Sequence, residues 1–325
     1  MKKISDLPGD LLLEAVLCRV LATHLQRLRS TCKRWNHLFT KKHYDKAARQ
    51  FLLLNLMEHR VFSMSVNLEE NPSLEVEGKL RIKDSHSNSA QIEIMEVSSC
   101  DGLLLCTIKN DVSRIVVCNP CTGQTKWIQP RDRCKEGELF STYSLGSYQN
   151  NKSLNTCYKV LRNICCYSVA EFEICDINSS SWRTIDAPGC RLSDFKSVSF
   201  KGKAYWFGTD RNKEHVFLVS FDYTRERFER LSLDPCQFPN GYIPENMALS
   251  AVREEKLSML LKRPQALEYE IWVTNKIDDD ETKVMSWIKI FTVDYPERST
   301  ISSFSLVDEE KKTVLMCCVK CNQPG

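Results

Sequence analysis

Histidine is scarce, long apolar runs are absent and net charge is close to zero in this 325-residue sequence, and each shortage removes a class of function. Only six histidines occur, His24, His37, His43, His59, His86 and His215, and none stands with a serine or cysteine in a nucleophile motif. There is no G-x-x-x-x-G-K followed by Ser or Thr and no G-x-G-x-x-G to cradle phosphates, nor an H-E-x-x-H helix to hold zinc. The carboxylate pairs Glu254/Glu255 and Glu309/Glu310 fall in lysine-interleaved stretches, VREEK and DEEKK, that read as hairpin turns. No run approaches the roughly 20 apolar residues that a membrane span needs. A formal charge of +3 gives no electrostatic reason to expect nucleic acid or an anionic membrane as partner. Neither catalysis nor a cofactor is expected.

What is present is an ordinary globular composition, 42% hydrophobic and 27% charged, long enough for a small module and one large domain. Sixteen cysteines would suit a disulfide framework, but they are scattered along the chain and several lie in strand-like apolar runs, as do Cys106, Cys165, Cys166 and Cys175. They read as small core residues of a reducing compartment. The two C-x-x-C pairs, Cys118/Cys121 and Cys318/Cys321, stand about 200 residues apart, and no metal site is expected from them. The opening MKKISDLPGDLLLEAVLCRVLATH has the lysines of a secretory leader, yet Asp6, Asp10 and Glu14 interrupt it with amphipathic spacing. The expected location is therefore the cytosol, the nucleus or both.

The first fifty residues read as three short helices. Asp6, Pro8 and Asp10 mark a helix start, since proline fits a first turn and carboxylates favour the positive end of the macrodipole. Thr23 and Gln26 form a capping box for a second helix, with Leu25 and Leu28 on its apolar stripe. In the third, Cys32, Trp35, Leu38 and Phe39 share one face at three- and four-residue offsets. Eleven lysines and arginines oppose four carboxylates here, which reads as a solvated surface or as complementarity to an acidic partner. Three short helices cannot bury this many large apolar side chains on their own. At ~1.5–3 kcal/mol for each one fully buried, a handful at an interface suffices for a tight complex.

The string ISDLPGDLLLEAVLCRVLATHLQRLRSTCKRWNHLF, with its LP pair, spaced leucines and C-x-x-W, resembles an F-box. The resemblance implies that Leu7, Pro8, Leu11, Leu12, Val16, Leu25, Leu28, Cys32 and Trp35 build the adaptor-facing surface or its supporting core. Ala22 departs from the proline that relatives often carry at the start of the second helix. Packing of these helices on their own chain is the plainer alternative.

From residue 51 onward the period changes to two. Phe62, Met64, Val66 and Leu68 alternate with polar residues, and strand-like runs follow: GLLLCTI, RIVVC, EFEICDI, KAYWF, HVFLVSF, LSMLL, EYEIWV and TVLMCCV. The loop 278–281 reads as a solvated turn. A unit recurs: an apolar strand, Asn or Asp, a polar turn, then an aromatic residue. It runs from Asn119 to Trp127, Asp176 to Trp182, Asp222 to Phe228 and Asn275 to Trp287, with starts 57, 46 and 53 residues apart. Spacing near fifty suggests kelch-like propeller blades, with a β-sandwich as the alternative. Segments such as SCDGLLLC, VCNPCTGQTKWI, FEICDINSSSWRTI and VSFDYTRERFERL are similar to the F-box associated domain, type 1, of a plant F-box family. The chain ends at CNQPG, where relatives usually continue for further strands, so the β domain is expected to be short at its C-terminal end.

The expected class is thus α+β: a three-helix F-box over 1–48 and an all-β, propeller-like domain over 51–325. The resemblance implies a substrate-recognition subunit of an SCF-type cullin-RING ubiquitin ligase, non-catalytic, with the adaptor, through it cullin, and an unidentified protein substrate as partners. A ligase-independent interaction scaffold is the alternative, and a propeller enzyme or glycan-binding domain a third class. Loops 131–136, 149–155 and 235–244 are the candidate target contacts.

Overall fold

A computed structural model describes residues 53–57, 59–67, 73–80, 82, 92–120, 122–131, 138–149, 156–166, 170–193, 197–210, 215–233, 247–252, 256–262, 268–275, 285–294, 299–308 and 312–320. All regular structure among them is strand, and every apolar run quoted from residue 102 onward lies in one. The chain divides into two compact units, Met1–Asp132 and Arg133–Gly325.

In the first unit, β1 (Leu53–Met57), β2 (Arg60–Asn67) and β3 (Ser73–Lys79) form an antiparallel meander, as do β4 (Ile94–Cys100), β5 (Leu103–Ile108), β6 (Asp111–Cys118) and β7 (Thr125–Ile128). Their shared core contains Val61, Ile94, Leu104, Cys106, Val116 and Cys118. The strict alternation expected over 62–68 does not hold. Val61, Ser63 and Met64 are buried and Phe62 is only half-buried. The ladder shifts register here, with Ser63 opposite Gly78, Met64 opposite Val76 and Glu77 an extra residue on β3, and the buried Ser63 hydroxyl donates to the Gly78 carbonyl at 3.3 Å.

The second unit begins with four strands in the order β11 (Ser181–Ile185), β10 (Glu171–Asp176), β9 (Thr156–Cys166), β8 (Glu138–Gln149). The next sheet runs β12 (Arg191–Leu192), β14 (Lys203–Thr209), β15 (Val216–Asp222), β16 (Arg227–Leu231), with β13 (Val198–Phe200) also on β14. Then come β17 (Met247–Val252), β18 (Lys256–Lys262), β19 (Glu268–Thr274) and β20 (Trp287–Asp294), and a hairpin of β21 (Ser299–Asp308) with β22 (Thr313–Lys320). Sequential four-stranded meanders are the architecture of propeller blades.

The sheet of β12–β16 buries both faces, so one strand supplies two cores. From β15, Phe217, Val219 and Phe221 join Phe172, Ile174 and Trp206 on one side, while Leu218 joins Leu257, Met259 and Trp287 on the other. That is why these strands read as continuous apolar runs.

The recurring unit maps onto the turn between the last two strands of each four-stranded meander. Asn119 Oδ1 accepts from the Thr122 amide at 3.0 Å, and Asp176 Oδ1 from the Asn178 amide at 2.9 Å. Asp222 Oδ1 accepts from the Thr224 and Arg225 amides at 2.8 and 2.9 Å. In the longer fourth copy the backbone closes the turn instead, the Asn275 amide donating to the Ser286 carbonyl. An Asx turn satisfies amides that the end of the ladder leaves unpaired. The aromatic residue then seats the outer strand: Trp182 and Trp287 are buried, and Phe228 packs edge-on against Phe172.

A close contact between two sheets lies at this end. Tyr223, fully buried in the β15–β16 turn, occupies the space over Gly146 of β8, where a Cβ would overlap its ring. Its hydroxyl donates to Ser144 Oγ at 3.0 Å. Replacing Gly146 with Ala or Val is expected to cost about 1–3 kcal/mol through this overlap, and Tyr223→Phe about 1 kcal/mol through the lost hydrogen bond. Denaturant unfolding of the variants checks both, and a neutral Gly146→Val would contradict the packing.

Candidate functional site

The nine residues expected to face an adaptor, Leu7, Pro8, Leu11, Leu12, Val16, Leu25, Leu28, Cys32 and Trp35, lie outside the described residues, as do the helices expected to carry them. So do Cys121, Cys321, both carboxylate pairs and the loop 278–281.

Two of the histidines are described. His59, in the β1–β2 turn, has its Nδ1 3.2 Å from the Ile94 carbonyl; His215 is exposed just before β15. Among the described residues no group of three or more His, Cys, Asp or Glu side chains could hold a metal. Cys118, from the first C-x-x-C pair, is buried beside Cys106 in the sheet of β4–β7. A hydrogen bond with Cys118, then burial, pushes the Cys106 thiol well above its usual range. Both side chains belong to the apolar core of the first unit. Cys165 is only half-buried, and nothing is described of the Cys166 side chain.

The most elaborate polar cluster joins the sheet of β8–β11 to the β15–β16 turn. Lys159 of β9 donates to the Tyr223 carbonyl at 2.9 Å, pairs with Glu226 Oε1 at 2.7 Å, and stands 3.7 Å from the Tyr148 ring centroid. Arg183 of β11 pairs with the other oxygen of Glu226. Tyr148 of β8 donates to Asp176, the turn residue at the end of β10, two strands away in the same sheet. Burial first, and the Asp176 carboxylate second, push the Tyr148 hydroxyl well above its usual value, so it remains a donor. For Glu226, burial alone would raise the carboxyl, but hydrogen bonds from Lys159 and then Arg183 outweigh it and hold the group below its usual range. Every charge in the cluster has a partner, and the cluster braces two sheets.

That brace orients the loops of the second unit. The β8–β9 connection, 150–155, leaves from the same end as the brace, whereas β8 starts and β16 finishes at the opposite end. Within the second unit, the start of β8 and the end of β16 therefore lie at the opposite end from the strand ends that flank 150–155. The candidate loops 131–136, 149–155 and 235–244 lie largely outside the described residues.

Comparison with known proteins gives this framework a family. Residues 52–324 match the F-box associated β-propeller domain, and residues 4–46 match the F-box domain. The chain belongs to the plant F-box proteins that carry an F-box associated domain. It is 49% identical over 97% of its length to the probable F-box protein At5g47300 of Arabidopsis thaliana, of which the match covers 75%. It is 47% identical over 95% of its length to the putative F-box protein At3g25460 of the same plant, covering 85% of that protein. The putative F-box/kelch-repeat protein At3g22730, also from Arabidopsis thaliana, is 42% identical over 96% of the chain and is covered to 83%. In this F-box protein the meanders of β4 to β20 are the blade-like part of the matched propeller domain, with the Asx turns at their outer hairpins.

The brace makes a pH-dependent prediction. The folded-state value of Glu226 is depressed, so its contribution is present above its unfolded value of about 4.3 and is lost as pH falls through the folded value. The chain should melt above its Glu226→Gln variant at neutral pH, and the gap should close on acidification below about pH 5. Thermal midpoints across that range check this; a gap that widens in acid would contradict it.

Proposed function

We propose that this F-box protein is the substrate-recognition subunit of an SCF-type cullin-RING ubiquitin ligase. One observation carries the reading: an F-box match over 4–46 is followed on the same chain by an F-box associated propeller match over 52–324. F-box proteins with a propeller or kelch-type domain serve generally as receptors in such ligases, one module docking and the other recognising. In this reading residues 1–48 are the docking module, and Leu7, Pro8, Leu11, Leu12, Val16, Leu25, Leu28, Cys32 and Trp35 supply the adaptor-facing surface or its support. The β domain, 51–325, holds the protein target, and the complex works in the cytosol, the nucleus or both.

The receptor needs no reactive group of its own. Tethering a target near a ubiquitin-charged enzyme raises the effective concentration of its lysines to the millimolar range typical of short flexible linkages, and positioning does the rest. The braced character of the β domain suits this role, because a rigid receptor loses less freedom on binding.

Leu7→Ala with Pro8→Ala, or Trp35→Ala alone, is expected to abolish co-purification with the adaptor while leaving the thermal unfolding of the β domain unchanged. Survival of the complex in all these variants would defeat the docking assignment. Recovery of adaptor without cullin from cells would favour a ligase-independent scaffold.

A further inference from the structure

We propose that a short segment of the protein target, presenting an aliphatic or aromatic side chain beside a carboxylate, docks on the end of the first unit where Met95 and Val112 are displayed. The inference rests on the receptor reading above and assigns to it a contact surface and a class of target.

The display is built by two bulges at one step of β5. On one side, Ile94 pairs with Ile108 and Glu96 with Thr107, so Met95 is an extra residue with no partner. On the other, Ile108 pairs with Asp111 and Thr107 with Ile115, so Val112, Ser113 and Arg114 leave the ladder. Both neighbours of β5 thus break register between Thr107 and Ile108. The extra residues include the two most exposed large hydrophobic side chains among the described residues, Val112 at 87% and Met95 at 56%. Single exposed hydrophobic residues are commonplace, but a bulge that re-aims a side chain is a specific feature of the backbone. The two strands that carry them stand about 10 Å apart, two strand spacings.

Both excursions are held in place. Thr107 Oγ1 accepts from the Glu96 amide at 3.1 Å, repairing the ladder beside Met95. The Asp111 carboxylate accepts from the Ser113 amide at 3.1 Å, from the Ser113 hydroxyl, and from Arg114 Nε at 2.9 Å. Arg114 is fixed in turn over Trp127, 4.9 Å from the ring centroid. Val112 therefore stands on a preorganised loop, which reduces the ordering cost of binding.

The charges around it indicate what accompanies the apolar side chain. Lys109 pairs with Glu93 at 3.2 Å and Arg114 with Asp111, so both pairs are neutral. Arg60, next to the His59 whose carbonyl accepts the Ile94 amide, is exposed and has no ion-pair partner among the described residues. The uncompensated cation favours a carboxylate on the partner.

The test uses the full chain in complex with its adaptor and a displayed library of random peptides as the probe. Enriched peptides are expected to contain an apolar residue next to Asp or Glu. Affinity of the selected peptides should fall at least about tenfold in Val112→Asp and in Arg60→Glu, and by less in Val112→Ser, with unfolding midpoints unchanged. Because these residues are exposed, the Ser and Arg60 variants keep the test valid should Val112→Asp fold poorly. An absence of enrichment, or selected peptides indifferent to all three variants, overturns the proposal. So does a wild-type dimer that Val112→Asp turns into monomers, which would make a second copy the occupant. Adaptor co-purification is scored in the same samples. Its loss with peptide binding intact defeats the receptor reading alone, and its retention with insensitive peptides defeats the surface alone.

Discussion

A tyrosine without solvent access stands over a strand position where only hydrogen fits, and this contact between Tyr223 and Gly146 binds one four-stranded sheet of the second unit to the next. Lys159, Glu226 and Arg183 close around it with paired charges. An antiparallel meander of four strands exposes two apolar faces, and neither face is stable in water. The sheets must therefore stack, and the contacts that fix how they stack decide where every connecting loop begins and ends.

The same constraint shapes the proposed activity. A receptor works by holding a target long enough for another subunit to act, so its surface has to be rigid and its core inert. The polar clusters of the described residues suit that division. Cys106 and Cys118 are buried thiols, the Lys159 cluster is internally neutralised, and the Asx turns spend their carboxylates and amides on backbone donors. Two apolar side chains are held out on braced bulges at the end of the first unit.

Much of this fold was legible in the sequence because strand period and turn chemistry are local. The runs at 103–108, 171–176, 203–209, 216–222 and 268–274 are strands, and Asn119, Asp176 and Asp222 close the turns that their recurrence suggested. The long strands β8 and β9 were less visible, since ELFSTYSLGSYQ carries glycine and many polar residues and its inward positions are small to admit Tyr223. The alternation at Phe62, Met64, Val66 and Leu68 misled for a different reason. Ser63 is buried where a polar residue was expected outside, because its hydroxyl finds the Gly78 carbonyl of β3 where the ladder shifts register.

By itself the sequence determined the order of the modules, many of the strands, the turns that close the outer hairpins and the family, because each is written in spacings of a few residues or in motifs of fixed order. The tertiary structure alone decided that Glu226 meets Lys159 and Arg183, that Gly146 must remain glycine, and that Met95 and Val112 flank the same step of β5. Those facts depend on register and on sheet-to-sheet contact. A one-residue slip changes which side chains face inward, and residues distant in the chain become neighbours only when the sheets pack.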